Sequence, residues 1–211
     1  MKKVLLFSNS SWNIYNFRLN FISYLQKNNF EVIIISPKDK YSVKLLEKGF
    51  NYKNININTN KISFFADIFL FFNLLKYIRY YNPNYIISFT IKPNLYTIVC
   101  SLFFKYKSII NITGLGTMYF KNFLLKSAYL FLYKLIIKNS DYTMFQNKYD
   151  KLLLTNRINK KYIILPGSGI CLKDYKYKKK IKSKKITFSF IGRFLKEKGL
   201  NEYLQAEKII K

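Results

Sequence analysis

The segment best suited to chemistry is Ile191–Gly199, with the sequence IGRFLKEKG. It follows a predicted strand and enters a predicted helix. Gly192 lets the backbone turn sharply and lets a ligand approach. Arg193 offers a planar fork of donors that suits phosphate, and Lys198 lies near the helix N-terminus, where an anion is already favoured. The pattern predicts a diphosphate site, with an ordinary strand-to-helix turn carrying surface charges as the alternative.

A second loop, Asn111–Thr117 (NITGLGT), follows a predicted strand and contains two glycines and two threonines. Such residues at the carboxyl end of a strand suit the ligand crevice of an open α/β sheet. The segment does not match GxGxxG, so a plain turn is the alternative.

A third polar loop, Ser8–Asn13 (SNSSWN), follows the first predicted strand, and Arg18 is predicted to lie one turn into the next helix. These side chains would also lie at the carboxyl end of a strand. Trp12 could stack on a sugar or meet a lipid interface, or it could be a packed loop aromatic. Asp39 is the one carboxylate placed to act as a general base, and a charged-helix or loop role is its alternative.

Some catalytic units are excluded by residue types that the sequence lacks. There is no histidine, which excludes a Ser-His-Asp or Cys-His unit and histidine-ligated metal. There is no DxD pair to hold a metal–diphosphate and no Walker sequence of an ordinary NTPase. We therefore expect neither a metal nor a cofactor.

Short apolar runs alternate with longer amphipathic segments as far as Leu165. This βαβα rhythm predicts an α/β fold, a parallel sheet with helices on both faces. The predicted strands are Val4–Phe7, Val32–Ile35, Tyr85–Ser88, Ser108–Ile112, Tyr142–Phe145 and Tyr162–Leu165. The predicted helices are Phe17–Leu25, Val43–Glu47, 62–80, Leu95–Phe104, 121–138 and Asp150–Thr155.

The rhythm breaks at Pro166–Gly169, so we assign residues 1–170 to a first domain. Residues 171–185 form a predicted linker, in which Lys173–Lys185 holds eight lysines in thirteen residues. A strand at Ile186–Ile191 and a helix at Glu197–Ile210 then open a second α/β unit. One strand and one helix cannot bury a core, so we expect residues 186–211 to be the truncated start of a further domain.

The net charge of +27 favours anionic partners. A lysine-rich codon bias with a solvated surface and attachment to an anionic membrane are both open. In residues 119–138, three lysines at positions 126, 134 and 138 fall within an arc of roughly 120°, which is typical of an interfacial helix, with a core helix as the alternative. Residues 64–75 are similarly apolar, but Asp67 and the lack of lysine favour burial. The two cysteines are too few for a disulfide framework, which indicates a reducing cytosol.

Together and in this order, seven segments resemble bacterial family 4 glycosyltransferases, which have the GT-B fold. Within that family, they resemble transferases that add a hexose or N-acetylhexosamine to polyprenyl-diphosphate-linked saccharides. The segments are the first strand, then SSWNIYNFR, SFTIKPNLY, NITGLGTMYF, FQNKYD, LPGSGICL and FIGRFLKEKGLNEYL.

The resemblance implies two Rossmann-like domains facing a cleft, with the acceptor held by the N-terminal domain and the nucleotide sugar by the C-terminal one. Gly192, Arg193 and Lys198 would grip the donor's diphosphate in place of a metal. Gly167 and Gly169 match the turn at the domain crossover. The residues that match acceptor-side cleft loops are Ser10, Asn13, Arg18, Lys92, Thr113, Gly114 and Gly116.

The resemblance also implies retention of anomeric configuration, with the leaving phosphate taking the acceptor's proton. Where some relatives have a histidine, this chain has Phe89-Thr90. The family's two-glutamate motif lies beyond the present sequence, so we expect no catalytic residue here and no activity from this chain alone. The partners that the resemblance implies are a nucleotide sugar linked to UDP, a lipid-linked saccharide, and the inner face of an anionic cytoplasmic membrane.

Two alternatives to this enzyme are kept. One is an inert truncated remnant of it. The other is a basic nucleic-acid-binding module that uses Lys173–Lys185, which would explain neither the glycine loops nor the arginine–lysine motif.

Overall fold

The computed structural model describes residues 1–58, 63–116, 119, 122–156, 158–160, 162–170, 172, 186–192, 194 and 198–210. The chain divides into two compact units, Met1–Cys171 and Leu172–Lys211. The strands are β1 Lys2–Ser8, β2 Phe30–Ser36, β3 Asn51–Asn54, β4 Tyr85–Phe89, β5 Lys107–Ile112, β6 Tyr142–Phe145 and β7 Tyr162–Ile164. The helices are α1 Ser11–Phe17, α2 Leu19–Lys27, α3 Lys40–Glu47, α4 Phe64–Tyr81, α5 Ile91–Cys100, α6 Phe123–Asn139, α7 Lys148–Thr155 and α8 Leu200–Ile210.

All seven strands are parallel and form one sheet in the order β3-β2-β1-β4-β5-β6-β7. The chain moves outward from β1 to β3, crosses to the other side of β1, and continues outward from β4 to β7. The helices α1–α3 therefore pack on one face of the sheet and α4–α7 on the other. The predicted parallel sheet with helices on both faces is therefore confirmed.

The core shows the same two-sided arrangement. Leu6 of β1 clusters with Ile14 of α1 and Leu45 of α3. Its neighbour Leu5 clusters with Leu70 and other residues of α4. Because successive side chains of a strand point to opposite faces, β1 is buried on both sides, as its continuous apolar run predicts.

β3 is a strand that the sequence pattern does not predict. Its four residues, NYKN, contain one buried side chain, Tyr52, and no apolar run. The strand forms at the sheet edge by pairing with β2, and the Tyr52 hydroxyl donates to the Ser36 carbonyl at 2.8 Å.

The predicted helix Phe17–Leu25 is wrong as a single element, because α1 and α2 are separate helices and Arg18 lies between them. α1 begins early because the Ser10 side chain caps it by accepting a hydrogen bond from the Asn13 N–H. The predicted helix Leu95–Phe104 is similarly shifted, since α5 begins at Ile91 and ends at Cys100.

The expected burial of residues 64–75 is wrong for four of the five phenylalanines in this segment. Phe64 and Phe65 are 73% and 83% exposed, and Phe69 and Phe72 are also exposed. A helix lying on a sheet turns one stripe toward it, and here that stripe is Leu70, Leu74, Ile78 and Tyr81. No described helix is long and apolar enough to cross a membrane.

In the second unit, the described residues form α8 and no strand. The predicted strand Ile186–Ile191 is therefore wrong, because a strand needs a neighbour to share its backbone hydrogen bonds. Phe190 instead packs its ring 5.6 Å from that of Tyr203, whose hydroxyl donates to the Phe188 carbonyl at 3.1 Å. The predicted linker, residues 171–185, lies outside the described residues except for Leu172.

Candidate functional site

The candidate site lies at the carboxyl edge of three adjacent strands, β1, β4 and β5. Ser8 of β1 pairs with Phe89 of β4, which pairs with Asn111 of β5. Strands are added to one side of β1 as far as β3 and to its other side from β4 onward, so the strand order reverses between β1 and β4. Ligands of open α/β sheets bind in the crevice outside such a switch point. All the predicted acceptor-side residues follow these strands: Ser10, Asn13 and Arg18 follow β1, Lys92 follows β4, and Thr113, Gly114 and Gly116 follow β5.

The first of these residues build the start of α1. Ser10 Oγ accepts a hydrogen bond from the Asn13 N–H at 3.2 Å. The Ser11 hydroxyl lies 2.9 Å from that of Ser36 and donates to the Pro37 carbonyl at 2.6 Å, which anchors α1 to the end of β2. The Asn13 amide oxygen is buried and finds no partner among the described atoms. Ser10 is therefore a helix cap, and Asn13 is the residue that a ligand could satisfy.

Asp39 holds the starts of α1 and α3 together. Its Oδ1 accepts hydrogen bonds from the N–H groups of Tyr41 and Ser42 at 2.7 and 3.0 Å. Its Oδ2 accepts from the Trp12 N–H at 3.2 Å. Trp12 is 45% exposed and packs edge-on against Phe17. These contacts support the structural role of Asp39 over that of a general base.

Arg18 is a buried cation at the junction of α1 and α2. The residue is 5% exposed, and its guanidinium carbon lies 4.4 Å from the centre of the Phe89 ring. Burial lowers the pKa of Arg18 to about 10, so the side chain remains charged at neutral pH. Its Nε is buried without a hydrogen-bond partner in the described part of the chain.

Thr90 begins α5 with an unusual backbone. Its φ of 73° and ψ of 165° fall in a region that is essentially restricted to glycine. Its Oγ1 is buried without a partner within the described residues, and its side chain does not cap the helix. Strain of this kind costs about 1–3 kcal/mol and concentrates at functional sites.

A buried polar network fixes β4, α5 and β5 behind Thr90. The Ser88 hydroxyl donates to Asn94 Oδ1 at 2.8 Å, and Asn94 Nδ2 donates to the Asn111 carbonyl at 3.1 Å. The side-chain Oδ1 of Asn111 is buried and has no described partner. The network therefore joins β4, α5 and β5 and leaves one acceptor of Asn111 unused within the described structure.

Lys92 joins the starts of α4 and α5. Its Nζ lies 2.9 Å from Asp67 Oδ1, and both side chains are more than four-fifths buried. Asp67 also accepts from the Ser63 N–H at 3.3 Å. Lys92 is thus a bridge between two helices, placed at the same edge of the sheet as Arg18.

The loop after β5 rests against α6. Gly114 and Gly116 have φ values of 137° and 65°, which residues other than glycine rarely adopt. The Tyr133 hydroxyl donates to the Gly114 carbonyl at 3.4 Å. Thr113 is half-buried at the start of this loop, directly after β5.

The remaining predicted residues lie elsewhere. Gly167 and Gly169 flank Ser168, whose hydroxyl accepts from Gln146 Nε2 at 3.2 Å. In the second unit, Gly192 and Lys198 are exposed, and Lys198 lies just before α8. Arg193 lies outside the described residues, so the diphosphate site stays a prediction. No cluster of three Asp, Glu or Cys side chains that could hold a metal occurs in the described ranges.

Sequence reasoning misses three features of the site. They are the packing of Arg18 on the Phe89 ring, the strained backbone of Thr90 and the unpaired side-chain oxygen of Asn111 within the described residues. The strain itself depends on a backbone angle and has no sequence signal, because threonine ordinarily avoids positive φ.

Residues 3–147 match the profile of a family described as Glycosyl transferase 4-like. The chain is 27% identical, over 224 aligned positions, to the N,N'-diacetylbacillosaminyl-diphospho-undecaprenol alpha-1,3-N-acetylgalactosaminyltransferase of Campylobacter jejuni. That alignment covers 97% of this chain and 59% of the relative, so the chain spans about three fifths of the curated relative that it matches.

Solved structures share the fold at low identity. A glycosyltransferase from Rickettsia africae superposes with a TM-score of 0.60 and 15% identity, covering 77% of this chain and 42% of that one. MurG from Acinetobacter baumannii superposes with a TM-score of 0.56 and 10% identity, covering 78% and 45%. At these identities the likeness concerns the fold alone.

Proposed function

The chain belongs to the glycosyl transferase 4-like family, and from that membership we propose that it works in a retaining glycosyltransferase. The reaction transfers a hexose or N-acetylhexosamine from a UDP-linked donor to a lipid-linked saccharide during synthesis of a cell-surface glycan, such as O-antigen or capsule. The relative from C. jejuni is named for transfer of N-acetylgalactosamine to a diphospho-undecaprenol-linked sugar. The observation that carries the proposal is the family match over residues 3–147, which contains the whole polar edge of β1, β4 and β5.

In the proposed reaction, the leaving phosphate of the donor removes the proton from the acceptor hydroxyl on the face where the new bond forms. The sugar therefore keeps its anomeric configuration, and no protein base is needed. The capping duty of Asp39 is compatible with this scheme. Gly192, Arg193 and Lys198 are proposed to bind the donor's diphosphate, with the two cations neutralising developing charge in place of a metal.

The acceptor is proposed to bind on the side of residues 1–170. Asn13 and Asn111 have buried amide oxygens without described partners, and hydroxyl groups of a saccharide could donate to them. The glycine loop after β5 would let the backbone approach the sugar closely. Lys92 would lie beside it, with its charge balanced by Asp67.

We further propose that the protein is peripheral on the cytoplasmic face of an anionic membrane. α5 contacts α4 on one side and α6 on the other. The first turns of α4 expose Phe64, Phe65 and Phe69, and those of α6 expose Phe123 and Leu124. Aromatic and aliphatic side chains beside the lysines of α6 and a net charge of +27 suit a headgroup interface.

Flotation with vesicles containing anionic lipid tests the membrane proposal. Replacement of Phe64, Phe65 and Phe69 by serine is expected to reduce the bound fraction at least tenfold. The control is Tyr24→Ser, an exposed aromatic of α2 on the other face of the sheet, and it should bind as the unmodified protein does. Equal binding by all three proteins would contradict the proposal.

The donor assignment is tested by transfer kinetics on the natural protein as its cells make it. Arg193→Ala and Lys198→Ala are each expected to lower kcat/KM for the UDP-sugar by about 10²-fold, because each removes a charged contact to the leaving diphosphate. Lys208→Ala, which changes a lysine in the last turn of α8, is the control. EDTA should leave the rate unchanged, and loss of activity with EDTA would overturn the metal-free scheme.

A further inference from the structure

Arg18 is a buried cation that has no counter-ion among the residues described by the structure. Its guanidinium forms no hydrogen bond and no ion pair with any residue that the structure describes. Only 5% of the residue's surface is exposed. A buried charge is normally paired, since removing it from water is unfavourable. The fold therefore holds a buried positive charge at the edge of the sheet, and binding of an anion beside Arg18 would stabilise it.

The surroundings of Arg18 point to where that anion would lie. The guanidinium packs over Phe89, the residue directly before Thr90, and Thr90 is the N-cap residue of α5. α5 has ten residues, and its first turn receives no side-chain cap from Thr90. The N-terminus of a helix carries partial positive charge and outward N–H groups, so it favours an anion. The Thr90 hydroxyl, which is buried and unpaired in the described residues, adds a donor.

We propose that Arg18, Thr90 and the N-terminus of α5 form a binding site for the phosphate group of a diphosphate-bearing substrate. The inference rests on the proposed function for the choice of substrate, since both the UDP-sugar and the lipid-linked saccharide carry a diphosphate. It assigns the phosphate to the β1–β4 switch point of the first unit. This site is separate in sequence from Arg193 and Lys198.

The chemistry of the edge matches a phosphate that is attached to a sugar. Arg18, Thr90 and the helix end supply donors, which a phosphate needs because its oxygens accept. Asn13 and Asn111 each present a buried acceptor oxygen that is unused within the described structure. Sugar hydroxyls can donate to these oxygens. The site therefore fits a glycosyl phosphate better than an isolated inorganic anion.

The test is calorimetric titration of the natural protein with inorganic pyrophosphate. Arg18→Gln is expected to weaken pyrophosphate binding at least tenfold. Arg79→Gln removes the same charge from an exposed position at the far end of α4, and it should change the affinity less than twofold. An equal loss in the two variants, or no binding by the unmodified chain, would overturn the proposal.

Two further arms identify the source of the phosphate. Farnesyl diphosphate represents a lipid-linked diphosphate and UDP represents the donor. The ligand whose affinity falls in Arg18→Gln and not in Arg79→Gln is the source, and insensitivity of both ligands to Arg18→Gln overturns the site. Neither arm requires sugar transfer, so a failure here is distinct from a failure of the proposed reaction.

A measurement on the unmodified chain keeps the test decisive if Arg18→Gln does not fold. The Nε–H resonance of Arg18 in a ¹⁵N spectrum should shift as pyrophosphate is added, whereas that of Arg79 should not. An Arg18 resonance that stays unchanged at saturating pyrophosphate would contradict the site.

Discussion

The guanidinium carbon of Arg18 lies 4.4 Å from the centre of the Phe89 ring. The contact joins the junction of α1 and α2 to the end of β4, across the switch point of the sheet. A cation over a desolvated aromatic face is stabilised by about 2 kcal/mol. The ring thus compensates part of the unfavourable burial of Arg18 without using any of its hydrogen-bond donors.

The first prediction concerns this pair. In a double-mutant cycle of Arg18→Met and Phe89→Leu, we expect a coupling free energy of about 1–2 kcal/mol, because each change alone removes the same cation–ring contact. Urea unfolding of the four proteins measures it. A coupling within error of zero would mean that the two side chains are merely adjacent.

The second prediction concerns the strained backbone of Thr90. Thr90→Gly should raise the free energy of unfolding by about 1 kcal/mol, since relief of about 1–3 kcal/mol of strain exceeds the added entropy of the unfolded glycine chain, about 0.5–1 kcal/mol. Thr90→Ala keeps the Cβ and should show no such gain. Thermal or urea unfolding measures both variants, and a destabilised Thr90→Gly would show that the angle is not strained.

Asn29→Gly is the control for that comparison. Asn29 also has a positive φ, of 61°, but asparagine tolerates the left-handed region. Its replacement by glycine should therefore leave the stability within about 0.5 kcal/mol.

The third prediction separates the two roles considered for Asp39. Asparagine caps a helix about as well as aspartate does, but its amide nitrogen cannot accept the hydrogen bond from the Trp12 N–H. Asp39→Asn should therefore cost no more than about 1 kcal/mol of unfolding free energy and should keep the transfer rate. Asp39→Ala removes the cap and should cost about 1–2 kcal/mol of unfolding free energy. If Asp39→Asn were stable but lost about 10²-fold in rate, Asp39 would be a base after all.

The fourth prediction concerns Asp141, which joins β5 and β6 at the amino edge of the sheet, away from the candidate site. Burial raises its pKa, but hydrogen bonds from Lys107 Nζ at 2.8 Å and the Ser108 N–H at 2.9 Å outweigh this and hold the pKa below its ordinary value. A depressed pKa stabilises the fold at pH values above the unfolded pKa of about 3.9, and that contribution is lost as the pH falls through the folded pKa.

Asp141→Asn should accordingly cost about 1–2 kcal/mol of unfolding free energy at pH 7, and the difference should shrink as the pH falls below about 4. Glu31→Gln is the control, because Glu31 makes only a distant surface pair with Lys3 at 4.0 Å. Urea unfolding between pH 3 and pH 7 measures both. A pH-independent difference would rule out charge as the cause.

The sequence predicts those strands and helices whose burial shows as a local pattern of apolar residues. The runs at Val4–Phe7 and Val32–Ile35 indicate strands because they are apolar on both faces, and they form the centre of the sheet. β3 has no such run and exists because the edge of β2 is available to Tyr52 and its neighbours. The break at Arg18 is also unpredicted, because the amphipathic pattern continues through α1 and α2.

The candidate site is predictable only in part. Its loops are marked by serine, threonine and glycine after strands, and the sequence places Arg18 among them. The pairing of Lys92 with Asp67 and the stacking of Arg18 on Phe89 join residues that are far apart in the chain. Such contacts depend on the order of the strands, which the sequence pattern leaves open.

The most direct test of the central claim is sugar transfer by the natural protein. We would incubate it with radiolabelled UDP-N-acetylgalactosamine, UDP-N-acetylglucosamine and UDP-glucose, each with a polyprenyl-diphosphate-linked saccharide, and extract the lipid product. We predict label in the lipid phase with at least one donor, and a new glycosidic bond of the same anomeric configuration as in the donor. An inverted product, or no labelled lipid from any donor and acceptor pair, would contradict the account.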